Sequence, residues 1–140
     1  MNNNDYSIAA LSFLGDAVYE LEIRNYLVSS GIKDGDQLHR ECTKYVRAEA
    51  QAKIIKALMT ERETHIGEGS RDVLSAEEVA IVKRARNHKF ANRSRSANPV
   101  EYRLATGLEA LMGHLYVTDS RERLKELVEE AIRIIGGNDE

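Results

Sequence analysis

The spacing of the apolar residues constrains the fold of this chain more than any other feature. In the long segments these residues recur at helical intervals, as Leu11, Leu14 and Val18 do within residues 7–28. No segment alternates apolar and polar residues in the manner of a half-buried strand. We therefore predict an all-α fold of five or six helices.

Signals for helix starts and ends support this division of the chain. Ser75 followed by Glu78 is a capping box, in which the two side chains satisfy free backbone N–H groups at a helix start. Asn98 before Pro99 is a second start signal. A last helix is expected from about residues 119–120 to the glycine pair at 136–137, which is typical of a helix end.

A second long helix is predicted to begin near Asp36 and to continue through Leu58, because the apolar residues keep a helical spacing between them. Residues 61–72 are polar and contain two glycines, so a loop is expected there. Residues 86–97 also lose the apolar pattern and are interpreted as a polar, basic loop.

Composition sets further bounds. A chain of 140 residues, 42% of them hydrophobic, suffices for one domain, which is predicted to span residues 1–140. Cys42 is the only cysteine, which excludes an internal disulfide and any metal site with two cysteine ligands. Residues 1–5 are polar, so no signal peptide is expected, and no apolar stretch approaches the roughly 20 residues that span a bilayer. A cytoplasmic location without a membrane partner is predicted.

The charges are unevenly distributed along the chain. The net charge of −3 argues at first against a nucleic-acid partner. Residues 83–103, however, carry seven basic side chains against the single acid Glu101, a net charge of +6. A local field of this kind attracts polyanions even on an acidic protein. The segment therefore indicates a polyanion partner, with a solvated basic loop as the alternative.

Asp16 is the first residue that is unusual for its place in a helix. It follows Gly15 within the apolar part of the first helix, and both residue types are unfavourable in a helix interior. The pair indicates a close approach of backbones combined with a functional carboxylate. The alternative is an aspartate that points to water from an amphipathic helix.

Glu109 is the second such residue. It shares a helix face with Thr106, Ala110 and Gly113, which lie three or four residues apart along the chain. That face is otherwise made of small residues and would allow another helix to come close. A carboxylate is costly to bury there without a compensating positive group. A solvent-facing Glu109 remains the alternative.

The two acids would converge if the glycine-containing faces of their helices met. Two carboxylates without cysteine or paired histidine ligands suit a hard ion such as Mg²⁺. Such an ion activates water and stabilises the charge that develops on a phosphodiester. Together with the basic segment, Asp16 and Glu109 indicate a nuclease.

Two short motifs resemble those of a known family. Residues 13–18, Phe-Leu-Gly-Asp-Ala-Val, resemble the signature of the ribonuclease III endonuclease domain. Residues 106–113, Thr-Gly-Leu-Glu-Ala-Leu-Met-Gly, resemble its second acidic motif. The chain leaves no room for the double-stranded-RNA-binding domain that usually follows. With residues 83–89, Lys-Arg-Ala-Arg-Asn-His-Lys, it is similar to the mini-ribonuclease III branch of bacteria.

The resemblance implies a helical homodimer with a groove that spans two active sites. It implies Mg²⁺-dependent hydrolysis of double-stranded RNA to 5′-phosphate ends, with Mn²⁺ as a substitute and with Asp16 and Glu109 as catalytic metal ligands. For the mini branch it implies maturation of the 23S ribosomal RNA precursor, with ribosomal proteins or pre-ribosomal particles as partners. The RNA-binding residues expected from the basic segment are Lys83, Arg84, Arg86, Asn87, His88, Lys89, Arg93 and Arg95.

The chain departs from the family pattern at two acidic positions. Ala9 lies seven residues before Asp16, and Thr106 lies three before Glu109, where the family has further carboxylates. The mini branch is similar in this respect, so the departure does not indicate an inactive protein, but it leaves the number of metals per site open. Glu20 lies one turn after Asp16 on the same face. It either supplies or orients a water ligand of the metal or is an exposed glutamate.

Two alternatives to the nuclease hypothesis remain at this point. One is a catalytically inactive relative that binds structured RNA, and the other is a helical protein-interaction module. His114 and Cys42 are interpreted as packing residues rather than ligands.

Overall fold

The computed structural model describes residues 6–64, 74–88 and 98–136 of the chain. These ranges contain no strand and form six α-helices, which confirms the all-α prediction. The helices are α1 (Ile8–Ser29), α2 (Gly35–Val46), α3 (Ala48–Thr64), α4 (Ala76–Asn87), α5 (Pro99–Val117) and α6 (Arg121–Gly136).

Helix α5 forms the centre of the fold. It packs against α1, α3, α4 and α6, with its most extensive contact along α1. Apart from Glu109, which is half-buried, every residue from Ala105 to Leu115 is buried. Because water reaches no side of this segment, small and apolar residues occupy it all round. A carboxylate in this segment therefore lies at a helix–helix contact.

The predicted capping residues begin their helices. The Ser75 hydroxyl accepts from the Glu78 backbone N–H at 3.1 Å, and the Glu78 carboxylate accepts from the Ser75 N–H at 2.8 Å. The Asn98 side chain accepts from the Glu101 N–H at the start of α5, with Pro99 as its first residue. Since these signals act within three residues, the sequence alone is sufficient to locate both helix starts.

The prediction of one long helix from Asp36 through Leu58 is wrong. Asp34 caps α2, and the chain breaks between α2 and α3 at Arg47, whose backbone is extended (ψ 155°). Val46 is the last residue of α2, so no further turn of that helix supplies a donor to its carbonyl oxygen. Gln51 Nε2 donates to this oxygen at 2.7 Å. A side chain from the next helix thus compensates the break, and apolar spacing carries no signal of it.

Helix α4 is longer than predicted, because it continues to Asn87. Arg86 and Asn87, assigned to a loop from the sequence, therefore belong to the last turn of a helix. Most of the predicted loops, at residues 65–73 and 89–97, lie outside the described residues.

The core has a large and a small part. The large part contains residues from all six helices, among them Tyr19, Ile23 and Leu108. The small part joins Ile8 and Leu11 of α1, Ile81 and Ala85 of α4 and Ala110 of α5. No helix in the described ranges is long and apolar enough to cross a membrane.

Candidate active site

Helices α1 and α5 touch through their backbones at two glycines. A Cβ atom on Gly15 would lie 1.6 Å from the carbonyl oxygen of Glu109, and one on Gly113 would lie 2.0 Å from the carbonyl oxygen of Leu11. Real Cβ atoms essentially never come within 3.0 Å of another heavy atom. Both positions therefore require glycine, and the predicted meeting of the two small-residue faces is confirmed.

This contact brings the carboxyl groups of Asp16 and Glu109 together. Asp16 follows Gly15 directly, and its side chain is exposed, whereas Glu109 is half-buried. The Asp16 carboxyl group lies close enough for its negative charge to act on Glu109, and the two groups repel each other when both are ionised. Asp16 is therefore not an isolated surface aspartate, although one side of it faces water.

The protonation of Glu109 is strongly perturbed. Burial, followed by the negative charge of Asp16 and a hydrogen bond with it, raises the pKa of Glu109 to about 7. Hydrogen bonds from Ser12 and Gln51 oppose this rise. Loss of hydration and a nearby like charge both favour the neutral acid. Within the described ranges, no cationic side chain contributes to the pKa of Glu109.

Two polar residues that the sequence analysis did not identify contact Glu109. The Ser12 hydroxyl, buried on α1 one turn before Asp16, donates to Glu109 Oε1 at 3.0 Å. The Gln51 side chain reaches Glu109 from α3. The available signals were the helical spacing of Ser12 from Asp16 and the single polar residue in the sequence Ala50-Gln51-Ala52. Neither signal is specific.

The positions at which the family has further acids contribute no ligand here. Ala9 is exposed and has no polar side-chain atom. Thr106 is buried, and its hydroxyl donates to the Tyr102 carbonyl of its own helix at 2.9 Å. Within the described part of the chain, no group of three or more histidine, cysteine, aspartate or glutamate residues could hold a metal. Asp16 and Glu109 are thus the carboxylates that this site offers.

Three other residues considered from the sequence have structural contacts. The Glu20 carboxylate accepts from Arg24 Nε at 2.9 Å, which engages it along α1 itself. His114 is buried, with its Nε2 3.3 Å from the Glu77 carboxylate of α4. Cys42 is buried in the large core. The packing role predicted for His114 and Cys42 is consistent with these positions.

Helix α4, whose last turns are basic, packs against the two helices that carry the carboxyl pair. Lys83, Arg84, Asn87 and His88 are exposed and Arg86 is half-buried, whereas Lys89, Arg93 and Arg95 lie outside the described residues. On the buried side of this helix, Ala85 packs with Leu11 and Ala110. These two residues directly adjoin Ser12 and Glu109 in sequence. The exposed cations of α4 therefore project from a helix that is packed beside the site.

An exposed apolar strip runs along α1 next to Asp16. Phe13 is 85% exposed, and Leu21 and Val28 of the same helix are also largely exposed. Successive positions of this strip lie seven or eight residues apart and so share one side of the helix. Large exposed apolar side chains in a row are typical of an interaction surface.

Comparison with known proteins gives one consistent result. A model of the ribonuclease III domain matches residues 9–120. The chain is 40% identical to Mini-ribonuclease 3 of Enterococcus faecalis over 131 residues, which cover 94% of this chain and 92% of the relative. It is 43% identical to Mini-ribonuclease 3 of Streptococcus pneumoniae over 128 residues, covering 91% and 92%. A crystal structure of a protein from Fusobacterium nucleatum has a TM-score of 0.73 at 34% identity, covering 92% and 93% of the two chains.

Proposed function

The chain belongs to the ribonuclease III domain family and is an endoribonuclease that acts on RNA; from that premise we propose that it hydrolyses double-stranded RNA at Asp16 and Glu109 with Mg²⁺ as its cofactor. The observation that carries this proposal is the pair of adjoining carboxyl groups, which the backbone contact at Gly15 forces together. Within the described residues, no ion pair joins either carboxylate to a cationic side chain. A cation from outside the protein would supply that charge.

The donor set fits Mg²⁺. This ion prefers oxygen ligands, keeps several waters and is commonly held by one or two carboxylates. Two adjoining carboxylates, neither of which pairs with a cation among the residues that the structure describes, meet that requirement, and Mn²⁺ would bind to the same oxygens. When bound, the ion supplies an activated water and stabilises negative charge on the phosphodiester. In this proposal Asp16 and Glu109 hold the ion.

The exposed cations of α4 are proposed to bind the RNA backbone. Duplex RNA is recognised mainly through its shape, phosphates and 2′-hydroxyl groups. Lys83, Arg84, Arg86, Asn87 and His88 provide positive charge and hydrogen-bond donors beside the carboxyl pair. The proposal extends this surface to Lys89, Arg93 and Arg95, which follow in sequence.

Charge reversal tests this surface. A variant with Arg84, Arg86 and Lys89 changed to glutamate should bind RNA duplex at least tenfold more weakly, because each lost phosphate contact reduces the release of counterions. The matched control reverses Arg40, Lys53 and Lys56, which are exposed on α2 and α3. Equal affinity of both variants at low salt, measured by fluorescence anisotropy, would exclude this role for the basic segment.

We further propose that the apolar strip of α1 pairs with a second copy of the chain. Phe13 lies three residues before Asp16, about one helical turn away, so a partner seated there would lie close to the carboxyl pair. The homodimer implied by the family resemblance would cover this strip. A Phe13→Glu variant should then sediment as a monomer, whereas the unchanged protein sediments as a dimer. A monomeric unchanged protein would contradict the proposal.

The substrate proposed for the cell is a duplex in the 23S ribosomal RNA precursor. The names of the relatives do not specify this substrate. Ribosomal proteins or pre-ribosomal particles as partners, the cytoplasmic location and the single domain over residues 1–140 stay predictions. Cleavage of a duplex built from the two precursor ends, compared with a duplex of scrambled sequence and equal length, would test the substrate. Equal rates would leave the enzyme without this preference.

The test of the activity itself is cleavage of a perfect RNA duplex with Mg²⁺. The unchanged protein should produce fragments with 5′-phosphate ends, and Asp16→Asn should abolish cleavage while Asp36→Asn, an exposed acid on α2, should not. Binding without cleavage would instead support an inactive RNA-binding relative. If the protein neither binds nor cleaves the duplex, the result would support a helical protein-interaction module.

A further inference from the structure

Two helices, α1 and α3, supply polar groups around the Glu109 carboxylate of α5. Besides Asp16, the neighbours are Ser12 from α1 and Gln51 from α3, and Glu109 itself lies on α5. The Ser12 hydroxyl is buried and donates to Glu109 Oε1 at 3.0 Å. A hydrogen bond between residues 97 positions apart in sequence fixes the carboxylate of one helix against another. This bond does not form part of any helix cap or turn.

Gln51 is held in place at its other side. Its side chain is only 3% exposed, and its Nε2 donates to the Val46 carbonyl at 2.7 Å. A primary amide nitrogen carries two hydrogens, so one N–H is left to interact with the Glu109 carboxylate, whose pKa the Gln51 side chain lowers. The bond to the end of α2 therefore anchors the amide, and the anchored amide limits where the Glu109 carboxylate can turn.

The oxygen of the Gln51 amide has no partner. Its Oε1 is buried and accepts no hydrogen bond from the residues that the structure describes. Buried polar atoms without partners are rare and indicate a role or a missing water or ion. An amide oxygen is both a ligand type that Mg²⁺ accepts and an acceptor for metal-bound water. The unpartnered oxygen of a residue that acts on Glu109 is thus a sign of a missing ligand that does not depend on the carboxyl groups themselves.

We propose that Gln51 and Ser12 are positioning residues, which hold the Glu109 carboxylate toward Asp16 and prepare the pair for a divalent cation. This inference rests on the proposed function and adds to it two residues that act through Glu109. In proteins, groups that orient a metal ligand typically affect metal affinity or activity 10–100-fold when they are removed. The effect should therefore appear in cation binding before any RNA is present.

The experiment measures Mn²⁺ binding by calorimetry to the full chain without RNA. Gln51→Met keeps the length of the side chain but loses both amide functions, and Ser12→Ala removes a single oxygen atom. Each should weaken Mn²⁺ binding at least tenfold. The matched controls are Gln37→Met and Ser29→Ala, whose side chains are exposed on α2 and α1 and should leave the affinity unchanged.

A second measurement separates positioning from a loss of stability. In a Glu109→Gln background, Ser12→Ala should change the remaining Mn²⁺ affinity less than twofold, because Ser12 acts through the carboxylate. A general structural effect would instead persist in that background. If Gln51→Met fails to fold, the Ser12→Ala pair decides the outcome alone. Duplex affinity without divalent cation should be unchanged in Ser12→Ala, whereas kcat should fall about as much as Mn²⁺ affinity.

The outcomes distinguish this inference from the proposed function. If the unchanged protein binds Mn²⁺ and cleaves the duplex, but Ser12→Ala and folded Gln51→Met bind the ion within twofold of it, the positioning role is wrong and the proposed function stands. If the unchanged protein neither binds Mn²⁺ nor cleaves, the proposed function fails, and the positioning role fails with it.

Discussion

Glu78 and Glu109 lie on neighbouring helices and have opposite surroundings. Burial alone would raise the pKa of Glu78, but hydrogen bonds from Arg123 and from the Ser75 backbone lower it overall. Arg123 donates to both carboxylate oxygens of Glu78, at 2.8 Å each. At Glu109 the neighbour is another acid, Asp16, and the pKa is raised.

The difference shows how a structural carboxylate can be distinguished from a functional one. The Glu78–Arg123 pair and the capping box account for every oxygen of Glu78 within the fold, so its charge serves to join α4 to α6. Glu109 has no such cationic partner among the described residues, and its burial and the charge of Asp16 both disfavour its ionised form. Residues whose pKa values are shifted by burial and a like charge are enriched at functional sites.

The largest expected effect on stability comes from Gly15→Ala, which would push apart the helices that carry the two carboxyl groups. In Gly15→Ala the added methyl group would overlap the Glu109 carbonyl at 1.6 Å, so α1 and α5 must move apart. We expect the free energy of unfolding, measured in urea, to fall by more than about 4 kcal/mol. The control Gly35→Ala meets nothing within 4 Å and should change it by less than about 1 kcal/mol. A fall below about 1 kcal/mol in Gly15→Ala would contradict the backbone contact.

Removing the charge of Glu78 should destabilise the protein. Glu78→Gln leaves Arg123 without its buried partner, and we expect a loss of about 2 to 3 kcal/mol at pH 7. Because the folded pKa of Glu78 is lowered, its stabilisation is present above the unfolded pKa and is lost as pH falls through the folded value. The difference between variant and unchanged protein should therefore disappear in acid.

An exposed partner of the same arginine serves as the control for this substitution. Glu126 pairs with Arg123 Nη1 at 2.9 Å but is exposed. Glu126→Gln should change the free energy of unfolding by less than about 1 kcal/mol, since exposed ion pairs contribute little. An equal loss in both variants would mean that burial does not distinguish the two pairs.

Removing the charge of Glu109 should stabilise the protein, in contrast to the loss of stability expected for Glu78→Gln. Its folded pKa of about 7 lies above the unfolded value, so the folded protein binds the extra proton and loses stability as pH rises from about 4.5 to 7. Without divalent cations, Glu109→Gln should therefore be more stable than the unchanged protein by about 2 kcal/mol at pH 8. The gain should be absent near pH 4. A loss of stability at pH 8 would show that Glu109 has a positive partner after all.

The sequence was sufficient wherever the deciding interaction is local. Ser75 with Glu78 and Asn98 with Pro99 locate helix starts because each cap acts within three residues. The break at Arg47 escaped prediction because the Gln51 side chain, which compensates it, belongs to the following helix. Apolar spacing is similar on both sides of such a break.

The same difference between local and non-local signals applies to the candidate site. The glycines beside Asp16 and Glu109 indicated a close helix contact, since glycine is unfavourable inside a helix without such a reason. Ser12 and Gln51 were missed because their role depends on how α1, α3 and α5 are aligned along one another. That alignment is set by the packing of the whole core and has no local signal.

The most direct test of the account compares the two glutamates in a single assay. Cleavage of an RNA duplex is measured with Mg²⁺ at pH 8 for Glu109→Gln and Glu78→Gln, at a temperature where both are folded by circular dichroism. We expect Glu109→Gln to cleave at least about 10³-fold more slowly although it is no less stable, because a ligand of the reacting ion is lost. Glu78→Gln, although less stable, should cleave within about threefold of the unchanged protein. Cleavage by Glu109→Gln within tenfold of the unchanged rate would contradict the central claim that Asp16 and Glu109 form the catalytic site.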